Sequence, residues 1–291
     1  MSELGGQQTR RLPWPQEWPE PGEAKQKVTV TVFAVLGLGS LAGAVIALTA
    51  TPPDARGVIM AICAPLFLGF VSIAVLTRLR VRDRGTASIH LDHVAPANSE
   101  AVVIPYSRGL ALTYVAMTAS MLALFGLLAV VALLVVLDDD SSGTGTSVLL
   151  VASSLATLYL LLLVVEALRG GLSRGALALA PSGVHHRSWA FTSFFAWDSI
   201  ISVSAGTTGG QLITTAVYDN STPYFHRRSR LWKQPELALA PHMGVQGMNL
   251  SVDPALAYQA LRYYHEHPEM RAELGRQAGV DRIRRADLIT H

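Results

Sequence analysis

RGALALAPSGVHHRSWAFTSFFAWDSIISVSA, residues Arg174–Ala205, is the stretch whose reading decides the fold. Ala176–Ala180 and Val184–Ala190 are apolar runs on either side of Pro181-Ser182-Gly183. That tripeptide favours a tight turn, because proline presets its φ and glycine accepts the reversal without steric cost. Phe194–Trp197 and Ile200–Val203 follow, rich in the aromatic and β-branched residues that suit a pleated, half-buried surface. Beyond the turn Gly206-Thr-Thr-Gly-Gly210, the segments Gln211–Tyr218, Pro223–Phe225 and Gln246–Leu250 continue the strand pattern. Asp253-Pro254 then opens a helix, with aspartate as its cap and proline in the first turn, where a missing N–H costs nothing. Ala255, Leu256, Ala260, Leu261 and Tyr264 form one apolar face of it. The expectation is roughly six or seven strands closed by a C-terminal helix, a small β-barrel or sandwich.

The order of strand, proline turn with Gly183, second strand, and aromatic segment into Trp197-Asp198-Ser199-Ile200 with Val203 resembles the bacterial pleckstrin-homology-like (PH-like) domains. The tail of those domains is resembled by His267-Pro-Glu-Met-Arg-Ala-Glu-Leu274. The resemblance covers about residues 172–276 and leaves 277–291 as a C-terminal tail. The stretch 227–245 departs from it, being longer and less strand-like. Within the domain, Trp197 is expected in the core and Asp198 at a turn or cap. The resemblance implies a fold, a position beside transmembrane helices and work in membrane-associated assemblies. It implies no catalytic activity.

Upstream, four apolar runs occupy 28–50, 57–77, 110–137 and 147–168. About 20 apolar residues span a hydrocarbon core of roughly 30 Å as a helix, so each run is long enough. Half of the 291 residues are hydrophobic and only 15% are charged, which excludes an ordinary soluble composition. The fold class expected is therefore an α+β membrane protein, with four transmembrane helices and a PH-like β domain. The 23-residue first run behind a polar segment fits an anchor better than a cleaved signal peptide. Pro65 is expected to kink the second helix. Gly39 and Gly43 form a small-xxx-small pair for close helix packing.

Basic residues concentrate on one side of the runs: Arg10, Arg11, Lys25 and Lys27, then Arg78, Arg80, Arg82 and Arg84, then Arg169 and Arg174. The opposite connections hold Arg56 and the acidic run Asp138–Asp140, which reads as a hydrated loop. The positive-inside rule then places both termini in the cytoplasm of a bacterial plasma (inner) membrane. Residues 84–108 read as a cytoplasmic hairpin, with strands at Thr86–Leu91 and Ala101–Tyr106 around a Pro-Ala-Asn-Ser turn. Its opening Arg84-Gly85 echoes Arg174-Gly175, which leaves open a shortened copy of the PH-like module. Residues 1–27 form a proline- and tryptophan-rich tail, whose Trp14 and Trp18 suit a lipid interface or a partner.

The chemistry of catalysis is absent from the sequence pattern. The lone Cys63 lies in an apolar run and reads as helix packing. His90/His93, His185/His186 and His265/His267 lack the convergent spacing of a metal site, adjacent strand residues pointing to opposite faces. Ser182 is explained by its turn. The glycines at 206, 209 and 210 match neither phosphate-binding nor dinucleotide patterns. Glu166, the one ionisable residue inside an apolar run, is expected to pair with Arg169 at helix spacing. No enzyme activity, cofactor or metal is expected, and a net charge of +2 does not argue for nucleic acid. The candidate binding patch is His226, Arg227, Arg228, Arg230, Trp232 and Lys233, joined by Arg78, Arg80, Arg82 and Arg84, for anionic headgroups or a partner. The function expected is a binding, scaffolding or accessory subunit, with membrane lipids and another membrane protein or a second copy as partners. The alternatives are an anionic-lipid sensor acting through 226–233, and, ranked last, a small transporter or membrane enzyme.

Overall fold

The computed structural model describes residues 12–18, 23–50, 53–79, 85–94, 99–137, 143–207, 210–219, 221, 223–232 and 234–288. For 23–26, 47–48, 50, 53–58 and 78–79 only the backbone is described. Arg80, Arg82, Arg84, Asp138–Asp140, Lys233 and the side chain of Arg78 therefore lie outside the described residues. The chain divides into two compact units.

One unit holds four long helices, α1 Glu23–Ala50, α2 Pro53–Leu79, α3 Arg108–Leu137 and α4 Thr144–Leu168. Each contains a stretch long and apolar enough to cross a membrane: Lys27–Ile46, Ile59–Thr77, Arg108–Leu137 and Thr144–Leu168. Large apolar side chains such as Val32, Leu38, Leu112, Leu134 and Leu155 are exposed, as a lipid-facing surface requires. The Gly39/Gly43 pair divides between two environments within this unit. Gly43 does face α2, where an added Cβ would lie 3.3 Å from Cys63 Sγ, but nothing stands within 4 Å of the corresponding point at Gly39. The close face instead runs through Phe33, whose ring lies 6.2 Å from that of Phe70, and the buried Gly37 and Ala44. Gly39 is two residues from Gly37, a rotation of about 200°, and so points away. Farther along α2, Ser120 of α3 donates to the carbonyl of Pro65.

The other unit is built from three pieces of chain, within 1–21, 81–108 and 171–291. Its strands are β1 His90–Val94, β2 Ser99–Pro105, β3 Ala176–Ala180, β4 Gly183–Arg187, β5 Phe191–Ala196, β6 Ile200–Gly206, β7 Leu212–Val217, β8 Tyr224–Arg227 and β9 Met243–Gln246. Two antiparallel sheets result, β1-β2-β3-β4-β5-β8 and β6-β7-β9, in a sandwich that does not close into a barrel. Helices α5 Pro254–Glu266 and α6 Gln277–Arg285 complete it. The C-terminal segment alone supplies seven strands.

Three boundaries drawn from sequence shift. The hairpin β1–β2 is no separate module: β2 pairs with β3 through Val102↔Leu179, Val103↔Ala178 and Ile104↔Leu177 and extends the C-terminal sheet. Residues 277–291 are no mere tail, because Val280 and Ile283, one helical step apart on α6, are fully buried. Residues 1–27 likewise contribute Leu12 and Trp18 to the same core. The strand expected at Gln246–Leu250 lies earlier, at β9, with Met243 and Val245 inward. Gly247–Asn249 turns instead, and in that turn an added Cβ at Gly247 would meet Pro254 at 2.8 Å. The cap at Asp253 is as expected: its Oδ1 accepts the Ala255 N–H at 2.9 Å.

Candidate functional site

The basic loop after β8 has an internal frame. Backbone N–H groups of Arg228 and Ser229 both donate to Ala190 O, at 2.7 and 3.0 Å, pinning the loop to the β4–β5 turn. Ser229 is buried, and its Oγ accepts the Trp232 N–H at 2.9 Å. Arg227 braces the loop, donating to Ser229 O at 2.7 Å and Arg230 O at 3.0 Å. Arg228 is half-buried and donates to Ser173 Oγ. The outward tip is thus Arg230, Leu231 and Trp232, with His226 and Tyr224 exposed along β8, their rings stacked at 6.4 Å. The sequence patch is therefore brought together only in part, since two of its arginines are engaged in holding the loop.

Below the loop lies a buried polar cluster that sequence reasoning missed. Glu236, in the 3-10 segment Pro235–Leu239, is only 4% exposed. Its carboxylate accepts from Ser188 Oγ at 2.6 Å and from the Gln246 N–H at 3.3 Å. Burial raises its pKa to about 7, with the two hydrogen bonds pulling the other way. Nearby, Tyr106 OH and His186 Nε2 are 2.9 Å apart, and both side chains are fully enclosed. Burial pushes the Tyr106 phenol well above its ordinary range and lowers His186 to about 3. His185 packs against Phe194, ring centroids 4.4 Å apart, and burial lowers it to about 4. The alternation expected for the His pair is real, and each sheet face is covered where it meets them. Among the described residues no group of three or more His, Cys, Asp or Glu is placed to hold a metal ion.

Trp14 and Trp18, expected at a lipid interface or a partner, turn inward within the sheet domain. Trp18 Nε1 donates to Leu212 O at 3.2 Å, and the ring contacts Tyr258 of α5 at 5.7 Å and Trp14 at 5.2 Å.

The two motifs behind the family resemblance also meet. Trp197 is buried, its Nε1 donating to Ala180 O at 2.8 Å. The Arg271 guanidinium from the tail motif lies 5.1 Å over the Trp197 ring and 3.6 Å from Asp198, whose side chain is exposed. Glu273 of the same motif accepts from Tyr264 OH at 2.7 Å and Arg282 Nε at 2.5 Å. These contacts tie the tail motif to the Trp197 segment and to α6.

Fold and site together define a multi-pass membrane protein carrying one α+β sandwich domain assembled from separate stretches of chain. Compared with known proteins, the chain matches no family model, no curated protein and no solved structure.

Proposed function

We propose that this chain is a non-enzymatic protein of the bacterial plasma membrane, a scaffolding or accessory subunit whose PH-like sandwich is a cytoplasmic binding module. The observation that carries the reading is the β2–β3 pairing. One strand precedes α3 and the other follows α4, so the domain is assembled from stretches of chain that a pair of apolar helices separates in sequence. Residues 12–18 join the same domain, which supports a common side for the N-terminus, the 81–108 segment and the C-terminus. The basic flanks place that side in the cytoplasm. Glu236 with Ser188 and Gln246, and Tyr106 with His186, pair inside the domain, an arrangement that serves a rigid binding surface rather than a reacting centre. Cross-linking in native membranes, followed by purification in mild detergent, is expected to retain a protein partner or a second copy. A chain that cross-links to nothing and purifies alone overturns the reading. Orientation has its own measurement. In a Cys63→Ser background, a membrane-impermeant maleimide added to intact cells is expected to label Gly143→Cys and not the exposed Asp219→Cys. The reverse pattern sinks the assigned orientation.

A second reading is favoured by the loop tip. Arg230, Leu231 and Trp232 stand outward together, cation beside apolar and aromatic surface, the pairing that suits an anionic headgroup layer. With the full chain in nanodiscs, Trp232 emission is expected to shift to the blue when anionic lipid replaces neutral lipid. Arg230→Gln is expected to abolish most of the shift. An emission indifferent to lipid charge rejects this reading and leaves the first intact.

A further inference from the structure

We propose that the groove between α5 and β7 is a peptide-binding site for short segments carrying proline and tryptophan, and that residues 12–18 are its built-in occupant. A partner segment of that chemistry engages the domain by displacing them. The proposal rests on the binding-module reading and names its surface.

The occupant's own chemistry defines the site. Leu12-Pro-Trp-Pro-Gln-Glu-Trp18 has prolines at 13 and 15 that fix φ at both positions even before it binds, extended at first and then entering the turn that starts at Pro15. Little further ordering is then needed, which is the basis of recognition of proline-rich segments in aromatic-lined grooves. The groove supplies the matching parts. The Tyr258 ring and the apolar core receive Trp18, and Leu212 O accepts its indole N–H. The segment joins neither sheet, and its one described turn bond is internal, Trp18 N–H to Pro15 O at 3.2 Å. It is held by anchoring side chains rather than by a strand ladder. Gln16 and Glu17 face outward, so one side of the segment is polar and the other apolar.

The contact is graded along the segment. Trp18 is buried within the core, whereas Trp14 is only half-buried against the edge of Trp18, and Pro13, Gln16 and Glu17 are exposed. Burial of Leu12 and Trp18 favours docking, while the conformational entropy lost in ordering seven residues opposes it. Segments balanced in this way open locally without unfolding the rest of a domain. A covalently tethered occupant also blocks weak competitors through its high effective concentration, which makes it a filter for tighter partners.

The test uses the full chain in detergent, with a protease site placed between Trp18 and Glu23, and a labelled peptide of sequence LPWPQEW. After cleavage the labelled peptide is expected to replace the released segment and bind saturably, while the uncut chain binds it at least about tenfold more weakly. Tyr258→Ala in the cut chain is expected to lower the affinity about tenfold or more, as for an aromatic anchor. A peptide with both tryptophans changed to alanine is expected not to bind. The proposal is overturned if the cut segment does not exchange, if the cut chain unfolds, or if binding is indifferent to Tyr258 and to the peptide's tryptophans. None of these failures removes a partner captured by cross-linking, so the scaffold reading is judged separately.

Discussion

Tyr106→Ala is expected to destabilise the sheet domain by about 3–5 kcal/mol for the lost aromatic ring. A further cost of about 1–3 kcal/mol follows from the His186 nitrogen left without its partner. Tyr106 closes the end of β2. It is fully buried, its N–H donates to Gly175 O at 2.9 Å, and its ring lies 5.5 Å from Trp189. The neighbouring Gly175 is glycine for this reason: an added Cβ would meet both the Tyr106 ring and Arg187 O at 2.5 Å. Because β2 and β3 are joined in sequence only through α3 and α4, this ring fastens two distant pieces of chain into one sheet. Thermal unfolding of the full chain in detergent, followed by near-UV circular dichroism, is the measurement. The aromatic tertiary signal is expected to melt well below its wild-type midpoint while the helical signal persists. Tyr106→Phe, which removes only the hydroxyl, is expected to cost about 1–2 kcal/mol. An Ala variant that melts with the wild type would remove the ring from this role.

What was legible in the sequence follows from range. The four apolar stretches need only local length. The β3–β4 hairpin needs only Pro181-Ser182-Gly183 between two apolar runs, and the start of α5 only its Asp253 cap. Trp197 was legible as core because an aromatic run leads into it. The β2–β3 pairing was not legible, since its partners lie some seventy residues apart and nothing in Val102 or Leu179 specifies the other. Alpha6 was hidden because Val280 and Ile283 are isolated apolar residues in a polar, arginine-rich stretch. Trp18 was misplaced because the prolines around it read as an exposed tail, although an extended segment can lie on a surface as readily as in solvent. Glu236 gave no local signal: its partner Ser188 stands across the fold, and Pro235-Glu236-Leu237 resembles any polar loop. The basic loop was legible as charge but not as structure. Which arginines face outward depends on main-chain carbonyls that sequence does not position.

Lowering the pH from 7 toward 3 is expected to strip stability from the sheet domain, and His186 is the largest single cause. A histidine whose folded pKa lies below its unfolded value of about 6.5 stabilises the protein above that value. That stability is lost as pH falls, because the unfolded chain then binds the proton that the folded site refuses. At His186, held near 3 by burial, the loss approaches roughly 5 kcal/mol by pH 3. At His185, held near 4, it is roughly 3 kcal/mol. Glu236 acts in the opposite sense. Its folded pKa of about 7 exceeds the unfolded value near 4.5, so the folded state takes up the proton first. Acidification from 7 to 4.5 therefore adds stability from this group, up to about 3 kcal/mol. Near pH 7 the proton taken up by folded Glu236 offsets those bound by the two unfolded histidines, and stability is nearly level. Below about 6.5 the two histidines outrun the one carboxyl. The profile is a maximum near pH 7 with a fall steepest between about pH 5.5 and 4, where both histidines still refuse the proton. Thermal midpoints measured across this range are expected to show the maximum in the wild type. Glu236→Gln is expected to lose the level region near pH 7, so that stability falls throughout acidification, and His186→Gln to flatten the acid limb even though it lowers stability at neutral pH. An acid limb unchanged in His186→Gln would show that the titrating groups lie elsewhere.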